Sequence, residues 1–278
     1  MALKEARERA GYTQKEVAAA LEWSPSKLLR MENGQVKIET TDLQALLGQY
    51  GVKDRRQIDL LTEMARDAER SSPFAAYRAA LTNEFRTYLD YESSALRIRT
   101  FEPLLIPGLL QTRDYAESVI RAYSPAETGD DVIQQRVEAR IRRQDLIHVE
   151  DAPEFYFIVD EAALRRRVGQ EPDGVGPETM PEQFEHLKKM NKRDNVRVQV
   201  VRFSAGAYRG LTGPFFHLEF PQEVQLTDVL YLENARGDAV TVDDPVGTSL
   251  YLETFFGLED IATHESQLDA LLDQIATE

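Results

Sequence analysis

Hydrophobic positions in the first fifty residues recur at the three-to-four-residue spacing of short α-helices. Polar residues that begin helices separate these runs. Thr13, followed three residues later by Glu16, is the capping-box pattern that starts a second helix. Ser24 and Pro25 start a third helix, because serine caps helices well and proline is tolerated at the first helical position. The pattern therefore predicts a series of short helices.

The helical pattern continues up to a break that is rich in serine and proline. A fourth helix is predicted to begin at Thr40 or Thr41, and a fifth covers residues 58–68. Residues 71–73 read Ser-Ser-Pro, which is the strongest linker signal in the chain. We therefore predict an N-terminal domain at residues 1–66, a linker at 67–76 and a larger domain at 77–278.

Beyond the linker, helical periodicity alternates with the period of two that is typical of half-buried strands. Residues 196–203, for example, alternate apolar and polar side chains for most of their length. Strands are predicted at 97–102, 154–160, 196–203, 215–220 and 229–233. Helices are predicted at 77–95, 112–123, 131–148, 160–168, 178–193, 247–262 and 264–276. The predicted fold class is α+β, with an all-α N-terminal domain followed by a larger mixed α/β domain.

The second and third predicted helices are joined by a tight turn, which is the arrangement of a helix-turn-helix. In this motif the later helix enters the major groove of DNA. Leu28 and Met31 lie three residues apart and face the core, so the opposite side of the third helix is free to face the bases. We predict that nine residues contact DNA: Thr13, Gln14, Ser24, Pro25, Ser26, Lys27, Leu29, Arg30 and Asn33.

Base reading within this set requires side chains that reach the edges of bases. Arg30 can donate two hydrogen bonds to a guanine, Ser26 can bond several bases, and Leu29 can contact a thymine methyl group. An alternative for Arg30 is a surface ion pair with Glu32 or Glu22, which would contribute little to recognition.

The charge distribution indicates that DNA contacts are few and specifically positioned. The chain has a net charge of −15, yet residues 1–50 hold seven basic and seven acidic residues. The acidic excess lies in the remainder and weakens indiscriminate phosphate binding. Affinity then depends on phosphate contacts from Thr13, Gln14 and Lys27, and on a homodimer that binds two half-sites.

The composition argues against export, membrane insertion and cysteine chemistry. The chain has no cysteine, and therefore neither disulfides nor cysteine ligands for a metal. No apolar run approaches the ~20 residues that cross a bilayer. Charged residues occupy the N-terminus, where a signal peptide would be apolar. We expect a cytoplasmic protein without membrane association, located on the nucleoid when it binds DNA.

Candidate catalytic groups form no recognisable motif. The four histidines are scattered without metal-ligand spacing: His148, His186, His217 and His264. Four carboxylates could in principle assemble a metal-dependent nuclease: Asp90, Glu92, Asp160 and Glu161. Because carboxylates are common in a chain with 48 acidic residues and are usually solvated, we expect no catalytic residue, no metal and no cofactor.

Two parts of the sequence resemble known families. Residues 13–18, the Trp-Ser pair at 23–24 and residues 28–34 resemble the Xre family, the helix-turn-helix of lambda-type repressors. The N-terminal domain is therefore expected to be lambda-repressor-like. The larger domain is similar to the C-terminal domain of actinobacterial WhiJ-like regulators, over residues 101–112, 136–144, 159–164, 183–187, 204–206 and 213–215.

The resemblance implies a sequence-specific transcriptional regulator with an antitoxin-like layout, of a type that often pairs with a small BldB-type protein. The predicted function is a repressor whose activity is set at the C-terminal domain by a small-molecule effector or a small protein partner. The alternative is an antitoxin-like interaction module in which DNA binding serves only autoregulation. Double-stranded DNA and a second copy of the chain are the expected partners.

Base reading and phosphate binding within the third helix should differ in binding titrations. Arg30→Ala should cost about 1–3 kcal/mol per half-site and relax the preference at one base pair. Lys27→Ala should weaken binding similarly on all sequences and reduce the salt slope by about one per half-site. Titrations against an operator and its single-base variants, at several salt concentrations, measure both effects. Unchanged discrimination in Arg30→Ala would rule out base reading by this residue.

Overall fold

The N-terminal region is helical, with elements that begin at the signals seen in the sequence. The computed structural model describes residues 2–23, 25–32, 38–71, 74–169, 178–221, 227–233, 238–242 and 244–278. Its first helices are α1 (Ala2–Arg9), α2 (Gln14–Ala20), α3 (Pro25–Glu32), α4 (Thr40–Gln49) and α5 (Arg55–Ser71). Thr13 caps α2 in a complete capping box with Glu16, as the sequence predicts.

A single apolar cluster holds these helices together. Leu28 and Met31 of α3 are buried in it, as their spacing predicts. The other buried members are Leu3, Ala6, Val17, Leu43, Leu46, Leu47, Tyr50 and Leu61. Because one side of α3 is fixed against this core, its opposite side faces outward.

The region between the two predicted domains differs from the expected single helix over 77–95. The structure has a 3-10 helix at Ala75–Ala80 and then α6 (Asn83–Glu92). Thr82 separates them, because its backbone is extended and its hydroxyl accepts a hydrogen bond from the Phe85 amide at 3.1 Å. Helix α5 extends to Ser71, into the predicted linker. The boundaries 1–66, 67–76 and 77–278 stay a prediction.

The larger domain is built on a mixed sheet. Its described strands are β1 (Arg97–Glu102), β2 (Glu154–Asp160), β3 (Val196–Val201), β4 (Phe215–Glu219), β5 (Val229–Leu232) and β6 (Ala239–Thr241), in the order β3-β2-β1-β4-β5-β6. Strands β1, β2 and β3 run parallel to one another. Strand β4 pairs antiparallel with β1, β5 pairs antiparallel with β4, and β6 pairs antiparallel with β5. Sequence analysis missed β6, because three residues are too few to show alternation.

Helices cover both faces of this sheet. They are α7 (Arg113–Tyr123), α8 (Asp130–Arg143), α9 (Glu161–Arg165), α10 (Met180–Met190), α11 (Pro245–Glu259) and α12 (Leu268–Thr277). Ile98 of β1 belongs to the larger apolar cluster on one face, and Phe101 belongs to a second cluster, with Phe255 of α11, on the other. The predicted fold class is confirmed. No helix in the described part of the chain is long and apolar enough to cross a membrane.

The loop between β1 and α7 is mostly buried, with Leu104 exposed, and it is held by side chains from distant helices. Gln183 of α10 accepts a hydrogen bond from the Thr112 amide at 2.8 Å and donates one to the Leu110 carbonyl at 2.6 Å. Gln144, directly after α8, donates to the Gly108 carbonyl at 3.1 Å. These bonds satisfy backbone groups that water cannot reach, so the loop packs as a fixed part of the domain.

Candidate nucleic-acid interface

Helices α2 and α3 form the predicted helix-turn-helix, and the side of α3 away from the core is its predicted DNA-facing surface. The structure describes the helical backbone of α3 but not every side chain on it. The predicted contacts from the side chains of Ser24, Pro25, Ser26, Leu29, Arg30 and Asn33 lie outside the described residues. Those from Thr13, Gln14 and Lys27 lie within them.

The last residue of α3, Glu32, is the most strongly bound side chain of this region. Its carboxylate is 1% exposed and accepts hydrogen bonds from Arg7 at 2.8 and 3.1 Å. It also accepts bonds from the Gln14 amide at 2.9 Å and from the Tyr50 hydroxyl at 3.1 Å. One carboxylate therefore connects the C-terminal end of α3 to α1, to α2 and to the residue after α4.

The electrostatics of this group follow from its burial. Burial alone would lower the pKa of Arg7, but the hydrogen bonds and the charge of Glu32 raise it above its usual value. The pKa of the Tyr50 hydroxyl is also raised, first by burial and then by the neighbouring carboxylate. Arg7 therefore stays charged and Tyr50 stays neutral at physiological pH. The bonds to Glu32 are charge-assisted, which makes them stronger than neutral ones.

Gln14 has a second role that the sequence did not predict. Its amide points to Glu32, so the first residue of α2 holds the end of α3. An amide carries two N–H donors, and the bond to Glu32 uses one of them. Phosphate binding by Gln14 stays a prediction. If it occurs, the Gln14 side chain binds the phosphate while its bond to Glu32 of α3 holds it in place.

Thr13 lies at the exposed N-terminal end of α2. Its hydroxyl accepts a hydrogen bond from the Glu16 amide at 3.2 Å and donates one to the Glu16 carboxylate at 2.8 Å. The Thr13 backbone N–H donates a further bond to this carboxylate at 2.8 Å, and this bond, followed by that of the hydroxyl, lowers the pKa of Glu16. The hydroxyl is therefore engaged in the cap, and a phosphate at this end would bind through free backbone N–H groups of the first turn.

Lys27 is bound to the neighbouring helix. Its ammonium lies 2.9 Å from the Asp42 carboxylate of α4 and 4.0 Å from the centre of the Trp23 ring. The side chain is one-third exposed, so it can still reach a phosphate if it leaves Asp42. The phosphate contact of Lys27 stays a prediction. To make it, the Lys27 side chain has to break its ion pair with Asp42.

Sequence analysis did not identify Arg7, Tyr50 or Asp42 as part of this region. It considered Glu32 as a surface partner of Arg30, which is wrong about the surface, because the structure buries Glu32 against Arg7. A signal was present for Arg7, because it lies four residues after Leu3 and so shares the inner side of α1. A charged residue on the apolar side of a helix needs a buried partner. Its partner could not be named, because Glu32 is 25 residues away in sequence.

Two family models match this chain. Residues 1–61 match the family described as a helix-turn-helix domain. Residues 85–274, more than half of the chain, match the domain of unknown function DUF5753. This chain belongs to the DUF5753 family. No curated protein and no solved structure matches it. The helix-turn-helix match, together with the geometry of α2 and α3, makes this DUF5753 protein an Xre-like DNA-binding regulator.

The carboxylates considered for a nuclease site have structural partners in the DUF5753 domain. Asp160 caps α9 and accepts a hydrogen bond from the Tyr208 hydroxyl. Glu161 accepts bonds from Arg165 at 2.6 Å and Arg202 at 2.8 Å. Among the residues that the structure describes, no group of three acidic or histidine side chains is placed to hold a metal ion.

Loss of the cation beside Glu32 should unfold the N-terminal region selectively. Arg7→Met leaves a buried carboxylate without its cation and should destabilise this region by about 3–5 kcal/mol. Arg9→Met is the matched control, because Arg9 lies on the same helix in an exposed pair with Glu5 and its loss should leave stability nearly unchanged. Urea unfolding followed by fluorescence reports on this region alone, since Trp23 is the single tryptophan. Equal stability of the two variants would contradict the role of Glu32.

Proposed function

We propose that this DUF5753 protein is a transcriptional repressor whose DNA binding is set at the larger domain by a small molecule or a small protein partner. The observation that supports this function is the separation of two units: the helix-turn-helix match ends at residue 61 and the DUF5753 match begins at residue 85. The acidic excess lies beyond residue 50, so the larger domain repels phosphate and is available for an effector.

The resemblance of the larger domain to WhiJ-like regulators supports a BldB-type protein as one class of effector. The proposal includes no catalytic step, since the effector needs only to bind. A ligand that binds one conformation of the larger domain more tightly than another shifts the population of states, and it can thereby change DNA affinity.

The proposal also includes a homodimer, because two half-sites about 34 Å apart compensate for few phosphate contacts in each. We place the contact between copies on the outer face of α11, where Val246 is 81% and Leu250 is 52% exposed. Gly257, seven residues after Leu250, lies on the same face of the helix. Copies with a net charge of −15 repel each other, so contact is favoured where apolar side chains dominate the surface; on this face Glu253 is the exposed carboxylate that the contact has to accommodate.

Charge introduced on α11 should separate the dimer. Leu250→Glu puts a carboxylate into the contact and should give monomers at micromolar concentration. Leu104→Glu is the matched control, because Leu104 is 53% exposed, has the same side chain and lies outside α11. Sedimentation equilibrium of the wild type and both variants measures the association. A monomeric wild type, or equal association of the two variants, would contradict this interface.

Transcription in the host tests the repressor function. A chromosomal Arg30→Ala replacement removes the predicted base contact, and alanine favours the helix, so the protein should still fold and accumulate. Transcripts of genes that adjoin the bound sites should rise several-fold, with protein level as the control. A fall in these transcripts would indicate an activator, and no change at any bound site would refute transcriptional regulation.

A further inference from the structure

Two segments of the DUF5753 domain meet at the carboxyl-terminal edge of its parallel strands. Strand β2 ends at Asp160 and continues directly into α9, while β3 ends at Val201 and continues into a loop over residues 202–214. We call these residues the edge loop. Because β2 and β3 are parallel neighbours, α9 and the edge loop lie side by side at one edge of the sheet.

Glu161, the first residue of α9, binds the start of the edge loop. Its carboxylate is 3% exposed and accepts hydrogen bonds from Arg165 at 2.6 Å, from Arg202 at 2.8 Å and from the Phe203 amide at 3.0 Å. Burial alone would raise the pKa of Glu161, but these bonds lower it, so the carboxylate stays charged. The edge loop therefore begins at a fixed position beside α9.

The middle of the edge loop is fixed as well. The Tyr208 hydroxyl donates a hydrogen bond to the Asp160 carboxylate, and the Tyr208 ring packs edge-on against Phe101 of β1, with ring centres 6.0 Å apart. At Gly210 a Cβ would lie 2.7 Å from the Phe101 ring, so glycine allows the loop to lie this close to the sheet. The loop is thus attached to the domain at both ends of this stretch.

The fixed loop exposes two large apolar side chains. Phe203 is 56% and Leu211 is 55% exposed. The guanidinium of Arg165 lies 6.0 Å from the centre of the Phe203 ring, which is within the range of a cation–π contact. Exposed apolar side chains that a fold presents in a fixed position, next to charged groups, are typical of surfaces that bind another molecule.

The charge at this edge is opposite to that of the whole chain. Residues 160–169 and 202–212 contain five arginines, no lysine and two carboxylates, while the whole chain has a net charge of −15. Both carboxylates are buried and already accept hydrogen bonds inside the fold. A third carboxylate, that of Glu278, lies 2.7 Å from Arg165. The exposed arginines that have no ion pair with another described residue are Arg166, Arg167 and Arg209.

We infer that Arg166, Arg167, Phe203, Arg209 and Leu211 form a docking surface for an acidic protein segment that carries an apolar side chain at its centre. Aromatic and arginine side chains are enriched where proteins bind one another, whereas lysine is depleted. The two apolar side chains supply the central contact, and the arginines around them pair with carboxylates of the partner. Duplex DNA fits less well, because its phosphates would leave both apolar side chains unused and would meet an otherwise acidic protein.

This inference rests on the proposed function and deepens it, because it names the surface on which a small protein partner acts. Partner binding is measured without DNA. Its failure would therefore leave a repressor that responds to a small molecule, and failure of DNA binding would leave the docking surface intact.

Photo-crosslinking in the host identifies the occupant of the docking surface. The full chain carries p-benzoylphenylalanine in place of Phe203 or, as the matched control, in place of Tyr123, which is an aromatic residue of α7 and is 70% exposed. We expect an adduct at position 203 with a protein in which acidic residues outnumber basic ones, and no such adduct at position 123. Equal adducts at both positions, or an adduct at 203 with only DNA, a basic protein, a second copy of this chain or nothing, would overturn the inference.

The purified partner then tests the contacts through its Kd for the full chain. Arg209→Glu reverses an exposed charge and should weaken binding about tenfold at physiological salt, with a smaller loss at high salt. Phe203→Ala should weaken binding about 30-fold at both salt concentrations. Arg142→Glu is the matched control, because Arg142 is an exposed arginine of α8, and it should bind like the wild type. Equal Kd values for the Arg209→Glu and Arg142→Glu variants would refute the arginine contacts.

Discussion

A buried carboxylate must be surrounded by hydrogen-bond donors, and this requirement determines how the chain is assembled around Glu32. The residue lies at the end of α3 and receives donors from Arg7, Gln14 and Tyr50. Apolar packing through Leu28 sets the distance of α3 from the core, but it leaves the helix free to rotate and slide slightly. Bonds with defined directions remove that freedom, so the outward side of α3 has a fixed orientation.

The predicted DNA contacts depend on this fixed orientation. A base-reading side chain has to be held within a fraction of an ångström, and rigid elements supply that accuracy. The partly exposed ion pair of Lys27 with Asp42 adds a weaker contact between α3 and α4. The acidic body of the protein repels phosphate in general. We therefore expect positioned contacts in the N-terminal region to decide where the protein binds on DNA.

The same requirement organises the DUF5753 domain. Glu92 is satisfied by Arg143 and Tyr88, and Glu161 by Arg165 and Arg202. Each of these carboxylates connects elements that are distant in sequence or stabilises the start of a helix.

Local signals in the sequence predicted the local structure well. The capping box at Thr13 and the inner position of Leu28 depend only on near neighbours, and both are found where they were expected. Thr82 broke a predicted long helix, because its capping bond to Phe85 competes with the helical pattern on either side. The partners of Arg7 were not predictable, since the pairing of buried charges is decided by tertiary packing rather than by spacing along the chain.

Sequence-specific DNA binding is the claim on which this account depends, and the ratio of two dissociation constants tests it most directly. A duplex selected by the full chain from a random pool is compared with a duplex of the same composition in scrambled order, at physiological salt. The account predicts that the selected duplex binds at least about 10³-fold more tightly. Equal dissociation constants for the two duplexes would contradict it.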